Sequence, residues 1–219
     1  MDINSSELPK FIAIEGPIGV GKTSLAMLLS KTLGYEPWLE STGSNPFIER
    51  FYENNNQAAL QTQLFFLFER ARQLDLMRQA HLFKPLRVTD FLIEKDEIFA
   101  TLNLDADELQ LYHNIYQHLN IEPPRPDLVI YLQASTDVLL ERINTRGNKG
   151  EKNMDKNYVS RLVDKYTEFF HYYEKTPLLI VNSTAIDPIS NDKEYQELLS
   201  FIVASKQGRH YYNPIPKIL

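Results

Sequence analysis

The chain of 219 residues has no cysteine, one tryptophan and only 8 glycines. The lack of cysteine excludes disulfides, thiolate metal ligands and cysteine nucleophiles. No stretch approaches the ~18 apolar residues that a membrane-spanning helix needs. The opening residues MDINSSELPK also lack the basic and apolar regions of a signal peptide. We therefore expect a cytoplasmic protein with no membrane partner.

Charge is the next feature that limits the function. Lysine and arginine number 23 against 29 acidic residues, which gives a net charge of −6. An acidic surface repels nucleic acid, so we expect no nucleic-acid partner, and any polyanionic ligand must meet a local basic site. Hydrophobic residues make up 43% of the chain and charged residues 24%, which is typical of a folded globular protein.

Five short apolar runs predict the strands of a sheet. Their hydrophobicity is continuous rather than alternating, which indicates strands that are covered on both faces, as in a parallel sheet. The runs are Phe11–Glu15, Glu36–Glu40, Leu86–Phe91, Asp127–Gln133 and Pro177–Val181.

Helical patterns separate these runs. They cover Thr23–Leu33, Pro46–Leu82, Lys95–Leu119, Thr136–Thr145, Asn157–Glu174 and Lys193–Ser205. The alternation predicts an α/β fold, a doubly wound five-stranded parallel sheet with helices on both faces. We expect one domain over residues 1–219, with a polar lid at about 146–157 and a tail of uncertain order at about 207–219.

A phosphate-binding motif follows the first predicted strand. Residues 16–23 read GPIGVGKT and satisfy G-x-x-x-x-G-K-[ST], between the strand FIAIE and a helix. Glycines let backbone N–H groups surround phosphate oxygens, the lysine neutralises the β- and γ-phosphates, and the threonine hydroxyl binds Mg²⁺. The motif predicts a P-loop fold that binds ATP or GTP with Mg²⁺. Its candidate nucleotide-binding residues are Gly16, Pro17, Ile18, Gly19, Val20, Gly21, Lys22, Thr23 and Ser24.

Two acidic residues stand where predicted strands end, the edge at which open parallel sheets bind ligands. Glu40 ends the second run and is a candidate general base for a bound hydroxyl, although a solvated acid fits the same spacing. Asp90 ends the third run and is a candidate ligand for Mg²⁺ opposite Thr23, although it can equally cap the next helix.

Several segments together resemble the deoxynucleoside kinase family, over roughly Phe11 to Val181. Several motifs in one order are more specific than any one alone. They are IEGPIGVGKTSLA, then Glu40 followed by NPFIERFYE, then LQTQLFFLFERARQL, VTDFLIEKDEIFA and RINTRGNKGE, with Tyr158 downstream.

The resemblance implies roles for residues outside the P-loop. Glu40 resembles the catalytic base, while Tyr52 and Glu151 resemble the residues that bind the sugar 3′-hydroxyl. Gln63 resembles the glutamine that pairs with the base. Arg70 and Asp96 resemble the pair that reads amino and ring-nitrogen groups, which disfavours a strict thymidine preference.

The spacing of Gln63, Phe66 and Arg70, at i, i+3 and i+7, places these side chains on one stripe of a helix. One face of the helix can therefore bind a base and pack against its ring. An ordinary, partly buried helix with a snorkelling glutamine and arginine has the same pattern.

Basic residues before and within the predicted lid are candidates to bind the phosphates. Arg142 and Arg146 lie four residues apart on a helix, and Lys149 and Lys152 follow. They resemble the family's arginine-bearing lid, so we assign Arg142 and Arg146 a catalytic role beside Lys22 and Glu40. A solvated basic face is the alternative.

Two positions depart from the family's pattern. The family's third strand ends in an acid, an arginine and a serine, whereas this chain has Asp90, Phe91 and Leu92. The arginine that helps bind the 5′-hydroxyl is missing, and Arg87 or a lid cation is a candidate replacement. Asn148 stands where some relatives have a third lid arginine, which we interpret as tuning.

The leading hypothesis is ATP-dependent phosphorylation of a deoxynucleoside at its 5′-hydroxyl, with a purine favoured over cytosine. Two alternatives stay open: a thymidylate-type monophosphate kinase and a non-catalytic nucleotide-binding switch protein. The aromatic-rich helix with Tyr166, Phe169, Phe170, Tyr172 and Tyr173 suggests core packing or a subunit contact, so a homodimer is expected by resemblance. Five scattered histidines show no metal-ligand spacing.

Overall fold

The computed structural model describes residues 8–40, 44–53, 58–80, 86–148, 151 and 154–214. These residues form six strands: β1 (Phe11–Glu15), β2 (Glu36–Trp38), β3 (Arg87–Thr89), β4 (Leu128–Gln133), β5 (Leu178–Asn182) and β6 (Arg209–Tyr212). The same residues form eight helices: α1 (Lys22–Leu33), α2 (Ile48–Glu53), α3 (Ala59–Ala80), α4 (Lys95–Asn103), α5 (Ala106–His118), α6 (Thr136–Arg146), α7 (Lys156–His171) and α8 (Asp192–Ala204).

The strands form one parallel sheet in the order β2-β3-β1-β4-β5-β6. Every residue of β1 is buried, as expected for a central strand that is covered on both faces. β3 lies on one side of β1 and β4 on the other, and the chain crosses from one side to the other between these two strands, so a crevice opens beyond the carboxyl end of β1. The predicted α/β fold is confirmed, and the crevice is where its ligands are expected.

The sheet has six strands, so the predicted five is wrong by one. The extra strand, β6, lies in the segment interpreted as a tail and pairs in parallel with β5 from Leu178↔Arg209 to Val181↔Tyr212. The Arg209 guanidinium holds it in place by donating to the carbonyl oxygens of His171 (2.9 Å) and Tyr173 (3.1 Å). Tyr212 packs on Phe201 of α8 with ring centroids 4.7 Å apart.

Two predicted helices are each divided. The Pro46–Leu82 pattern contains α2 and α3, with residues 54–57 between them outside the described residues. The Lys95–Leu119 pattern breaks at Leu104, whose backbone is extended. A capping box then starts α5: Asp105 accepts from the Glu108 N–H (2.9 Å), and the Glu108 carboxylate accepts from the Asp105 N–H (3.3 Å). The Asp-x-x-Glu spacing was the available signal.

The aromatic stretch on α7 belongs mostly to the core. Tyr166, Phe170 and Tyr173 are buried, and Phe170 stacks on Tyr131 of β4 with centroids 4.1 Å apart. Tyr172 points outwards with 76% of its surface exposed. Among the described helices, none is long and apolar enough to cross a membrane.

Candidate active site

The P-loop connects the carboxyl end of β1 to the start of α1. Gly16, Gly19 and Gly21 have φ values of 150°, 81° and 104°, a region that side chains rarely adopt. A Cβ on Gly16 would stand 2.4 Å from the carbonyl oxygen of Leu132, so β4 leaves room only for glycine there. The Lys22 ammonium donates to the carbonyl oxygens of Gly16 (2.7 Å) and Pro17 (3.1 Å), which holds it against the loop.

Glu15, the last residue of β1, fixes the P-loop through its carboxylate. Its Oε1 accepts from the Gly16 N–H (2.9 Å) and the Tyr166 hydroxyl (3.0 Å), and its Oε2 accepts from the Leu92 N–H (2.9 Å). The carboxylate therefore joins the P-loop, α7 and the segment after β3.

Asp90 connects the nucleotide side of the site to the acid side. Its Oδ2 accepts from the Thr23 hydroxyl (2.5 Å), and its Oδ1 accepts from the Glu40 N–H (2.8 Å). Helix α4 begins five residues later with Glu94 at its N-cap and no side-chain capping bond, so Asp90 does not cap it. Thr23 and Asp90 are thus adjacent oxygen donors.

Those two oxygens suit Mg²⁺ in composition. Among the described residues there is no cluster of three or more acidic, histidine or cysteine side chains that could enclose a metal. Mg²⁺ typically takes one or two protein oxygens and completes its shell with water and phosphate. The pair therefore fits an ion that arrives with a nucleotide.

Glu40 lies two residues beyond β2, between two buried cations. Arg70 of α3 donates through Nε to Glu40 Oε1 (2.7 Å) and through Nη1 to Asp96 Oδ1 (2.6 Å). Lys95, the first residue of α4, donates to Glu40 Oε2 (2.8 Å). The Arg70 and Lys95 side chains are each 4% exposed and Asp96 is fully buried. We call Glu40, Arg70, Lys95 and Asp96 the charge cluster.

The pKa values of the two acids in the charge cluster, Glu40 and Asp96, are shifted in opposite directions. Burial alone would raise the pKa of Glu40, but the charges and hydrogen bonds of Arg70 and Lys95 lower it to about 2. Burial raises the pKa of Asp96 above its usual range, and the nearby Arg70 offsets this only partly. Asp96 Oδ2 is buried and accepts no hydrogen bond from the described residues. Glu40 is therefore ionised at neutral pH.

The pKa of Lys22 also depends on the charge cluster. Burial and the neighbouring Lys95 ammonium lower the pKa of Lys22 to about 8, against the opposing effect of nearby acids that include Glu40. The two lysines thus share one electrostatic environment, although they belong to different helices.

Gln63 and Phe66 share the inner face of α3 with Arg70. The Gln63 amide nitrogen donates to Asp96, to Oδ1 at 2.7 Å and to the carbonyl oxygen at 3.0 Å. The Arg70 guanidinium carbon lies 5.2 Å from the centroid of the Phe66 ring. A flat aromatic surface therefore stands beside a buried polar pair, which suits a planar heterocycle with polar edges.

Most of these groups, but not Asp96 or Glu15, line one cavity of about 430 Å³, which is within the usual range for a small-molecule site. The lining combines P-loop residues and Thr23 with Glu40, Lys95 and the inner face of α3. The remaining lining residues include Ile48, Phe51, Tyr52, Ala59, Phe99, Asn103, Arg146, Asn148, Glu151, Met154 and Tyr158. The cavity brings the predicted nucleotide end and the predicted acceptor residues together.

Known proteins share this architecture. The family model described as deoxynucleoside kinase matches residues 12–204. The chain belongs to the deoxynucleoside kinase family. A deoxyguanosine kinase of Bacillus subtilis (strain 168) is 34% identical over 197 residues, which are 88% of this chain and 95% of that protein.

Other relatives of this kinase differ in the substrates that their names state. The deoxyadenosine/deoxycytidine kinase of Bacillus subtilis (strain 168) is 26% identical, over 90% of this chain and 94% of that one. A solved deoxyadenosine kinase from M. mycoides with bound dATP superposes with a TM-score of 0.75 at 28% identity, covering 87% of this chain and 99% of that chain.

Arg142 and Arg146 of the kinase meet different partners. Arg142 donates to the carbonyl oxygens of Ser183 (2.8 Å) and Ile186 (3.3 Å), in a neighbouring pocket beside the P-loop. Arg146 forms an ion pair with Glu151 and lines both pockets. Lys149 and Lys152 lie outside the described residues.

Glu151 and Tyr52 lie on the lid side of the cavity. Asn148 donates to Glu151 Oε2 (3.2 Å), so the residue interpreted as tuning helps to hold this carboxylate. Burial and then the charge of Glu151 raise the pKa of Tyr52, so its hydroxyl stays protonated as a hydrogen-bond donor. Tyr158 lines the same side.

Sequence reasoning missed Lys95 and Glu15. Lys95 stands next to Asp96 in a segment that resembles the family, and no local motif marks this lysine as a site residue. Arg87, named as a replacement cation, donates to the Met77 carbonyl oxygen (3.0 Å) and is not among the residues lining the cavity. For Lys95, the only signal in the sequence is its position a few residues after the buried strand β3.

Removing the shared cation of the charge cluster tests its electrostatic balance. We expect Arg70→Met to lower the free energy of unfolding by about 3–5 kcal/mol, because it leaves Asp96 buried without its cation. Losing Arg70 raises the pKa of Glu40 and Asp96 in the folded state. The variant therefore loses stability as the pH rises above the pKa values that these acids have in the unfolded chain. The loss should be larger at pH 8 than at pH 5. Urea unfolding at both pH values measures it.

Arg72→Met is the matched control on the same helix. Within the part of the chain that the structure describes, Arg72 pairs only with Glu69. Its side chain is 60% exposed, so the free energy of unfolding should change by no more than ~0.5 kcal/mol. Equal losses for the two variants would contradict a special role of the buried pair.

Proposed function

We propose that this kinase transfers the γ-phosphoryl group of ATP to the 5′-hydroxyl of a purine deoxynucleoside, giving the 5′-monophosphate and ADP. The observation that carries the proposal is that Glu40 and Lys22 face one cavity large enough for a nucleoside. Phosphoryl transfer depends mainly on positioning and on charge stabilisation, and both groups lie where these are needed.

Glu40 takes the proton of the attacking hydroxyl. Its carboxylate is ionised and fixed by Arg70, Lys95 and the bond from its own N–H to Asp90. Lys22 and Arg146 offset the charge on the transferring group, and Arg142 supports the loop beside them. Thr23 and Asp90 would hold Mg²⁺, which when bound neutralises phosphate charge.

The sugar and the base meet opposite parts of the cavity. Tyr52 and Glu151 bind the 3′-hydroxyl as donor and acceptor. Gln63 and Arg70 line the cavity and face the base edge, while Asp96 is not among the lining residues and fixes both side chains by accepting from them. Relatives named deoxyguanosine and deoxyadenosine kinase support a purine over cytosine.

An acceptor panel tests the reaction. With ATP and Mg²⁺, we expect ADP release with deoxyguanosine or deoxyadenosine, less with deoxycytidine and least with thymidine. Phosphorylation of monophosphates alone would select a thymidylate-type kinase. Tight ATP binding without any turnover would select a nucleotide-binding switch protein.

The proposed base is tested by Glu40→Gln. The amide keeps the shape of the side chain but cannot accept the proton, so we expect kcat to fall by ~100-fold or more. Glu69→Gln is the control, because Glu69 lies on the outer side of α3 and pairs with Arg72. Wild-type turnover in Glu40→Gln would clear Glu40 of this role.

Two coarser expectations accompany the activity. We propose a homodimer, supported by the exposed Tyr172 at the end of α7 and by the family resemblance. Sedimentation equilibrium should give twice the mass of 25.5 kDa, and a monomer at micromolar concentration would contradict it. A cytoplasmic location stays a prediction of the sequence.

A further inference from the structure

Lys95 is a buried cation whose hydrogen-bonding capacity is largely unused. An ammonium has three N–H donors, and within the described parts of the chain Lys95 spends one, on Glu40 Oε2 (2.8 Å). The side chain is 4% exposed, yet it lines the acceptor cavity beside Lys22 and Glu40. A buried charge that lines a cavity and has unused donors calls for a partner there.

The position directly after Asp90 cannot supply this charge. Phe91 is 2% exposed and lines a separate cavity of about 520 Å³, together with Phe11 and Tyr173. Side chains alternate in direction along extended backbone, so Asp90 points into the acceptor site and Phe91 points away. The chain then turns, and α4 brings Lys95 back to the cavity.

Lys95 is held in its charged form. Burial alone would lower the pKa of Lys95, but the neighbouring Glu40 and Glu15 carboxylates raise it above its usual value. The amine therefore carries its proton at neutral pH and acts as a donor. It does not compete with Glu40 as a base.

We propose that Lys95 is a catalytic residue that donates a hydrogen bond to the 5′-oxygen of the acceptor. The inference rests on the proposed function. The proton of the 5′-hydroxyl passes to Glu40 Oε2, the oxygen–phosphorus bond forms, the bond to the β-phosphate oxygen breaks, and ADP leaves. Lys95 keeps all three protons and stabilises the negative charge that grows on the 5′-oxygen.

A binding comparison isolates this contact from turnover. The wild-type protein and Lys95→Met are titrated with a deoxynucleoside and with its 2′,5′-dideoxy analogue, which lacks only the 5′-hydroxyl. A hydrogen bond to a charged donor should favour the hydroxyl by ~10-fold or more in the wild type. We expect Lys95→Met to lose most of that preference, with the rest kept by the bond from the hydroxyl to Glu40, while its affinity for the analogue changes by less than about twofold.

Kinetics give a second readout. We expect kcat of Lys95→Met to fall by ~100-fold, with KM for ATP nearly unchanged. Lys165→Met is the control, because Lys165 pairs with Glu168 on the outer surface of α7. An unchanged hydroxyl preference in Lys95→Met, or wild-type kcat, would overturn the role of Lys95.

The design separates the two proposals. A wild-type protein that neither binds nor phosphorylates any deoxynucleoside refutes the proposed function, whereas equal hydroxyl preference in both proteins refutes only Lys95. Thermal unfolding is measured first. If Lys95→Met does not fold, the same comparison uses Lys95→Gln, whose neutral amide should still lower kcat by ~10-fold or more. Wild-type kcat in that variant would equally overturn the inference.

Discussion

The site depends on keeping the Glu40 carboxylate charged inside the protein. An acid buried without compensation would become neutral, because the loss of hydration disfavours the ion. Arg70 and Lys95 supply that compensation from α3 and α4, and the Arg70 guanidinium is itself balanced by Asp96. The two helices therefore have to meet at one place, and the charge cluster is both a packing contact of the fold and a part of the site.

Backbone-directed carboxylates hold the remaining parts in register. Asp90 binds the Thr23 hydroxyl and the Glu40 N–H, and Glu15 binds the N–H groups of Gly16 and Leu92. Each of these acids connects segments that leave different strands of the sheet. A small shift of β3 relative to β1 would disturb the nucleotide end and the acid end together, which explains why the positions are set at strand ends rather than on long loops.

Much of this arrangement was predictable from local pattern. The P-loop can be recognised because its residues are contiguous in the sequence. Continuous apolar runs likewise indicate buried parallel strands such as β1. Stripe spacing placed Gln63, Phe66 and Arg70 on one face, and all three line the cavity. The strand β6 was missed because a short polar-aromatic segment, RHYY, is stabilised only by pairing with β5 and by the long-range bonds of Arg209. Pairing over such a distance leaves little local trace.

Lys95, the cation beside Glu40, is a second example of a contact that local sequence does not predict. The family's pattern has its cation at the position of Phe91, directly after the acid that follows β3. The charge itself needs only to reach a point in space, and a lysine four residues after Phe91 reaches it once α4 has turned the chain back. Among the described residues, Arg70 is fixed by bonds to two acids, whereas Lys95 has one hydrogen bond and a flexible stem. The rigid cation can therefore maintain the ionisation of Glu40, while the adaptable one follows the oxygen as its charge develops during transfer.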